Sequence, residues 1–318
     1  MKGPLFYSKI LLFGEYGIIR DSKGLSIPYN FYNGALKGAD VLDETSAKSN
    51  QSLKRFVSYL ENLQEQQPEL VTFDLATLKN DVDNGMYFDS SIPQGYGVGS
   101  SGALVAAIYD KYANNKITVL ENLTREKLLI LKTIFSQMES FFHGKSSGLD
   151  PLNSYLSIPI LINSKDNIEA TGIPTQSFDG KGAVFLLDSG IVGETAPMVN
   201  IFMENLKDKG FRTMLKNQFV KYTDACVENF LGGDIKSLFS NTKKLSKVVL
   251  TKGLTNIGSK AFNNCSTLNS ISIPEGVKTI GNSAFYGCRA LANVTLNSGL
   301  ETLYGSAFYG CSSLISVT

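Results

Sequence analysis

Several stretches of this chain place reactive residue types where they could act together. The run Ile92-Pro-Gln-Gly-Tyr-Gly-Val-Gly-Ser-Ser-Gly-Ala-Leu104 bares backbone amides and offers two serine hydroxyls. Lys9 opens the alternating stretch Lys9-Ile-Leu-Leu-Phe-Gly-Glu-Tyr16. Glu139, His143 and Asp150 fall within "QMESFFHGKSSGLDPLNSY", and His143 is the only histidine. Glycines let N–H groups come within bonding distance of an anion. A carboxylate on a turn can take a proton or hold a metal. Each also has a plainer structural reading. A lysine at a strand edge is usually solvated, and an Asp before Pro151 starts a turn. His143 reads as a residue that orients a neighbour or ends a helix.

The glycine run admits more than one ligand. Gly97-x-Gly99-x-x-Gly102 matches a dinucleotide fingerprint, with Glu121 at the end of the strand-like "ITVLE" as its ribose carboxylate. That fingerprint needs a buried strand leading into the first glycine, and "DSSIPQGY" is polar and carries Pro93. The Walker pattern fails too, because Glu139 stands where Gly144-Lys145-Ser146 requires a glycine. Two readings of the stretch remain open: a phosphate cradle, or a glycine-rich turn with a serine N-cap. In the cradle, Ser100 and Ser101 open a helix whose first amides lack internal partners and favour an anion.

The elements that must position these residues follow from periodicity. "SSGALVAAIYDKY" reads as a helix opened by its serines, an apolar run with few breakers, and the run from Thr124 through Glu139 reads as a helix with apolar spacing near 3.6. The stretch from Lys9 alternates like a strand. A flexible turn, Gly144–Gly148, ends at Asp150. "PMVNIFMENLKDKGFRTMLKNQFVKYTDACVENF" reads as helical from the same 3.6-residue spacing.

From Gly253 the chain repeats with a period of 23 residues. Gly253, Gly276 and Gly299 are in step, as are Phe262, Phe285 and Phe308, Cys265, Cys288 and Cys311, and Leu268, Leu291 and Leu314. A fixed period of this length predicts a solenoid. Each coil is expected to carry one short strand (Ser270–Ile273, Asn293–Leu296) and one tight turn. The cysteines are expected as a buried thiol ladder. No polar cap closes the last coil.

Composition bounds the class. The 318 residues carry a formal net charge of +1, which points to no nucleic-acid partner. No apolar run reaches the ~18 residues of a membrane span. The N-terminus has no small-residue cleavage site, and the four cysteines form no C-x-x-C pair. The expected compartment is the cytoplasm.

Three segments taken together resemble the GHMP small-molecule kinases, most like the mevalonate kinases among them. "KILLFGEYGII" is similar to their first motif. "PQGYGVGSSGA" is similar to the second, which wraps the nucleotide triphosphate, and "ESFFHGKSSGLD" to a stretch E-x-x-x-H-G-x-[PS]-S-G-x-D. "GAVFLLDSGIVGETAPMV" resembles the strand and helix that begin the family's second domain. The resemblance covers roughly residues 5 to 250. It implies ATP and Mg2+ as cofactors, a mevalonate-like alcohol as substrate, and a place in isoprenoid biosynthesis. It assigns catalysis to Lys9 and Asp150, and the metal to Ser101 and Glu139. Nucleotide binding would fall to Pro93, Gly95, Gly97, Gly99, Ser100, Ser101 and Gly102.

The repeats resemble BspA-like leucine-rich repeats, which implies a protein-interaction surface. The expected architecture is therefore an α+β two-domain GHMP-kinase-like fold followed by a short solenoid. Its boundaries fall at 1–170, 171–250 and 251–318, and its second domain is truncated. The truncation is read from the absence of a third glycine-rich motif, since Gly232-Gly233 is an isolated pair. A catalytically impaired, nucleotide-binding remnant that acts through its repeats is the alternative expectation.

Overall fold

A computed structural model of the chain describes residues 4–15, 17–118, 123–174, 195–245, 254–266 and 268–318. They form two compact units, one built from 4–12 and 25–173, the other from 13–24 and 195–318.

The first unit is α+β. Strands β1 (Phe6–Phe13), β2 (Gly24–Gly38), β4 (Ile160–Ser164) and β5 (Asn167–Ala170) lie side by side in that order. Strand β3 (Met86–Ser90) pairs antiparallel with the far half of β2, from Gly34 opposite Ser90 to Gly38 opposite Met86. Helices α1 (Glu44–Gln66), α2 (Leu75–Asp83), α3 (Ser100–Tyr112), α4 (Arg125–His143) and α5 (Leu149–Leu156) complete it. Asp43, Asp74 and Thr124 cap the first, second and fourth helices by accepting an N–H three residues on.

Two helices decide where the reactive groups stand. Helix α3 is buried almost all round, with Ala103, Val105, Ala106, Ala107, Ile108, Tyr109 and Tyr112 all inside. Its start is crowded against α5. A Cβ on Gly102 would stand 2.7 Å from both the Asp150 carbonyl carbon and the Pro151 nitrogen. Helix α4 buries Leu128, Leu131, Ile134, Phe135 and Met138, and Glu139 continues that stripe into the interior. We expect Gly102→Ala to cost about 1–3 kcal/mol, because the obstructing atoms are backbone and must move. Urea unfolding followed by circular dichroism measures it, and an unchanged midpoint would show that α5 can retreat freely.

The second unit begins its helical part with α6 (Thr195–Asn205), α7 (Lys209–Met214), α8 (Lys221–Leu231) and α9 (Ile235–Leu245), a π-helical turn at Leu215–Val220 joining α7 to α8. The stretch expected to be helical over Pro197–Phe230 is helical in successive segments. Asp208 starts α7 by capping it, its carboxylate accepting the Phe211 N–H at 2.6 Å. Asp224 on α8 accepts the Lys23 N–H at 2.7 Å and the Ser22 hydroxyl at 3.2 Å, which fastens the 13–24 segment. The strand expected in residues 182–194, and Glu121 with the last part of "ITVLE", lie outside the described residues.

The repeats form two three-stranded parallel sheets rather than one. β6 (Asn256–Ile257), β8 (Thr279–Ile280) and β10 (Thr302–Leu303) make the first. β7 (Ser270–Ser272), β9 (Asn293–Thr295) and β11 (Ser316–Val317) make the second. The expectation of one strand per coil missed the first sheet. A 23-residue repeat brings every equivalent backbone segment beside its copy, so any extended dipeptide in the coil can pair. The Phe262, Phe285 and Phe308 rings stack at 5.0 and 5.1 Å, nearly parallel. All the cysteines are free thiols. Cys288 and Cys311 are buried and donate to the carbonyls of Phe262 and Phe285, as a thiol ladder requires. At the last coil Leu303 and Val317 are each 49% exposed, while their counterparts Ile280 and Val294 are fully buried.

Candidate functional site

Strand β1 carries Lys9 in mid-strand, one residue after the fully buried Ser8. The lysine is 8% exposed, so the solvated strand-edge reading does not hold. Its backbone N–H donates to the Val98 carbonyl at 3.0 Å, which ties the glycine-rich loop to the strand. Its ammonium lies 3.0 Å from Asp150 Oδ1.

Asp150 is not on a turn, as the residues alone suggested, but in the first turn of α5. Gly148, with φ +73°, precedes that helix at its N-cap. Position and charge agree there, since a carboxylate in a first turn meets the positive end of the helix dipole.

Gly95, Gly97 and Gly99 all have positive φ, which side-chain-bearing residues rarely adopt. A Cβ on Gly99 would stand 3.1 Å from Lys9 Cγ and 3.8 Å from Asp150 Cβ, whereas one on Gly97 would meet nothing within 4 Å. The loop is therefore pressed onto the ion pair at its end and open in its middle. Gly99, not a serine, is the N-cap of α3, and no side chain caps the helix. The first intrahelical bond runs from the Ala103 N–H to the Gly99 carbonyl. The amides of Ser100, Ser101 and Gly102 thus precede the ladder. Pro93 lies earlier on the same loop, half-buried after the buried Ile92.

A second cluster surrounds Ser101. Its hydroxyl donates to Glu139 Oε1 at 2.9 Å and lies 3.0 Å from His143 Nε2. Ser146 donates to the other oxygen, Glu139 Oε2. Glu139 is 3% exposed. Burial, then the charge of Asp150, push its carboxyl up to about 7, against the pull of the two serine hydroxyls and Lys9. The two clusters therefore act on each other.

All four residues singled out for metal and proton work come together on β1, α3, α4 and α5. The charges do not balance, since the buried Glu139 and the partly exposed Asp150 share one ammonium. That imbalance, with the hydroxyl of Ser101 alongside, fits a hard divalent cation, which takes oxygen ligands from one or two carboxylates and adds phosphate oxygens. Among the described residues no group of three or more His, Cys, Asp or Glu could hold a metal unaided. No helix among them is long and apolar enough to cross a membrane. Sequence reasoning missed Ser146. Its only signal was a hydroxyl in the turn that immediately follows the Glu139 helix.

Comparison with known proteins bears on both parts of the chain. Residues 56–157 match the family model of the GHMP kinases N terminal domain, a span that holds the loop, Glu139 and Asp150. Residues 235–318 match the BspA type leucine rich repeat region in six copies, starting ahead of Gly253 on helix α9. The α+β, GHMP-kinase-like class with leucine-rich repeats is thus the one the motifs pointed to. No curated protein is significantly similar to the chain. Among solved structures, mevalonate kinase from Methanococcus jannaschii is similar at 14% identity and TM-score 0.44, over 77% of this chain and 78% of that one. Mevalonate kinase from methicillin-resistant Staphylococcus aureus is similar at 15% identity and TM-score 0.38, over 74% and 72%.

Proposed function

We propose that this chain is an ATP-dependent kinase that transfers the γ-phosphoryl group to a small alcohol, with mevalonate as the substrate its motifs favour. The observation that carries the reading is the Lys9–Asp150 ion pair, set directly beneath the glycine loop at the start of α3. Phosphoryl transfer asks for cradled phosphates, a divalent metal and an oriented hydroxyl, with little covalent help. The loop amides from Gly95 to Gly102 hold the phosphates. Ser101 and Glu139 hold Mg2+, whose chemistry when bound is to neutralise charge on the phosphate oxygens. Lys9 orients the alcohol, and Asp150 takes its proton as the oxygen attacks the γ-phosphorus. The new O–P bond forms as the bond to the bridging oxygen of ADP breaks.

The experiment is a coupled ADP-release assay on the intact chain with MgATP and mevalonate. Steady turnover that depends on both substrates is expected. Equal ADP release with and without the alcohol would overturn the reading.

A second reading has one observation behind it. The sequence lacks a third glycine-rich motif, and leucine-rich repeats follow. On this reading the chain binds nucleotide without turnover and meets a protein partner through the repeats. Tight MgADP binding with no alcohol-dependent turnover would establish it over the first.

A further inference from the structure

Ser146 joins the Glu139 carboxylate to the N-cap of the helix that carries Asp150 through a single oxygen. Its hydroxyl donates to Glu139 Oε2 and accepts the Gly148 N–H at 3.0 Å. A hydroxyl has one proton and can accept as well, so the amide, which can only donate, leaves that proton for the carboxylate. The Ser146 carbonyl in turn accepts the Ser136 hydroxyl at 2.6 Å, one turn before Glu139 on α4. The turn lies flush on that helix. A Cβ on Gly148 would stand 2.1 Å from the Lys132 carbonyl oxygen and 2.7 Å from the Ser136 nitrogen. Gly148 is also the N-cap of α5, which carries Asp150. Glu139 thus has Oε2 committed to Ser146 and Oε1 to Ser101, so its carboxylate cannot turn without breaking one of these bonds.

We infer that Ser146 is a positioning residue: it holds the Glu139 carboxylate where it meets Ser101 and ties that orientation to the helix bearing Asp150. The inference rests on the kinase reading, in which Glu139 and Ser101 take the divalent cation. Partners that orient a metal-bound carboxylate change metal affinity by about 10–100-fold when removed. The loop amides that meet the phosphates are a separate set, so affinity for metal-free nucleotide should not follow.

The test titrates Mn2+ into the intact chain with saturating ADP and reads free Mn2+ by electron paramagnetic resonance. Equilibrium dialysis of ADP in EDTA runs alongside. Ser146→Ala is expected to raise the Mn2+ dissociation constant about 10–100-fold and to leave ADP binding in EDTA within about twofold of the parent. Ser146→Thr keeps the hydroxyl and should restore most of the loss. Three results would overturn the positioning role: Mn2+ binding unchanged in Ser146→Ala, an equal loss in Ser146→Thr, or a parallel loss of ADP binding in EDTA. A parent chain that takes up no Mn2+ with ADP overturns the metal reading of Glu139 itself, and with it this inference. Failure confined to the Ser146 variants leaves that reading standing.

Discussion

Asp150→Asn should lower mevalonate-dependent turnover by about 10²–10⁴, the usual loss when a general base is removed. The substitution keeps the shape of the side chain in the first turn of α5 and removes only its charge and basicity. The glycine loop does not depend on that charge, since it is tied to β1 by the Lys9 N–H to Val98 carbonyl bond. MgADP affinity should therefore stay within a fewfold. The Lys9 ammonium, nearly buried, loses its 3.0 Å partner, so stability should fall as well. The double variant Lys9→Met, Asp150→Asn separates the two effects. It removes the stranded charge, so it should recover stability without recovering turnover. Full turnover in Asp150→Asn would remove Asp150 from the chemistry. Recovery of turnover in the double variant would make the loss a folding defect.

Glu139→Gln should do the opposite to stability while lowering turnover. The native carboxyl sits at about 7 instead of near 4.5, because it is buried beside Asp150. Between those values the folded chain binds a proton that the unfolded chain does not, so stability falls as pH rises across that window. At pH 5 parent and variant should unfold at similar urea concentrations. At pH 8 the parent carries a buried charge that the amide does not, and the variant should be more stable by up to about 3 kcal/mol. Mg2+ with ADP should narrow the gap by stabilising the parent. Turnover of the variant should drop by about 10²-fold or more, since a metal ligand is replaced by a neutral amide. Parallel pH profiles for the two proteins would mean that Glu139 stays ionised without strain, and that the site does not need a cation to balance it.

The opposition of these two outcomes has one source. The apolar stripe Leu128, Leu131, Phe135 and Met138 is what a helix needs to fold onto the core, and Glu139 lies on its inner side. A carboxylate there weakens the fold, and a metal ion would relieve it.

How much of this was legible in the sequence varies with the range of the interaction. Helix α3 begins and ends where its residues indicated, because a glycine run and the breaker-free apolar stretch after it are local properties. The repeats were legible for a related reason, since the 23-residue period makes each coil's neighbour its own near-copy. The repeat model nevertheless starts on helix α9. Phe239 and Leu245 fall 23 residues before Phe262 and Leu268, so the pattern runs on into a segment that the structure holds as helix. Period alone could not say which conformation that segment takes. Cys226 and Asn229 on α8 meet Thr242 and Asn241 of α9, and such helix contacts have no trace in a repeat count.

The site divides in the same way. Its residue types and motif spacings were set by the sequence alone: a loop of small residues opening a helix, a lysine on a strand, and two acids eleven positions apart. Only the tertiary structure decided that Lys9 is buried against Asp150, that Glu139 is pushed toward neutrality, and that Ser146 grips it. Burial and pairing are sums over segments distant along the chain, and no local pattern encodes the distance between β1 and α5. Gly102 lets α3 and α5 touch, and Gly99 lies against both Lys9 of β1 and Asp150 of α5.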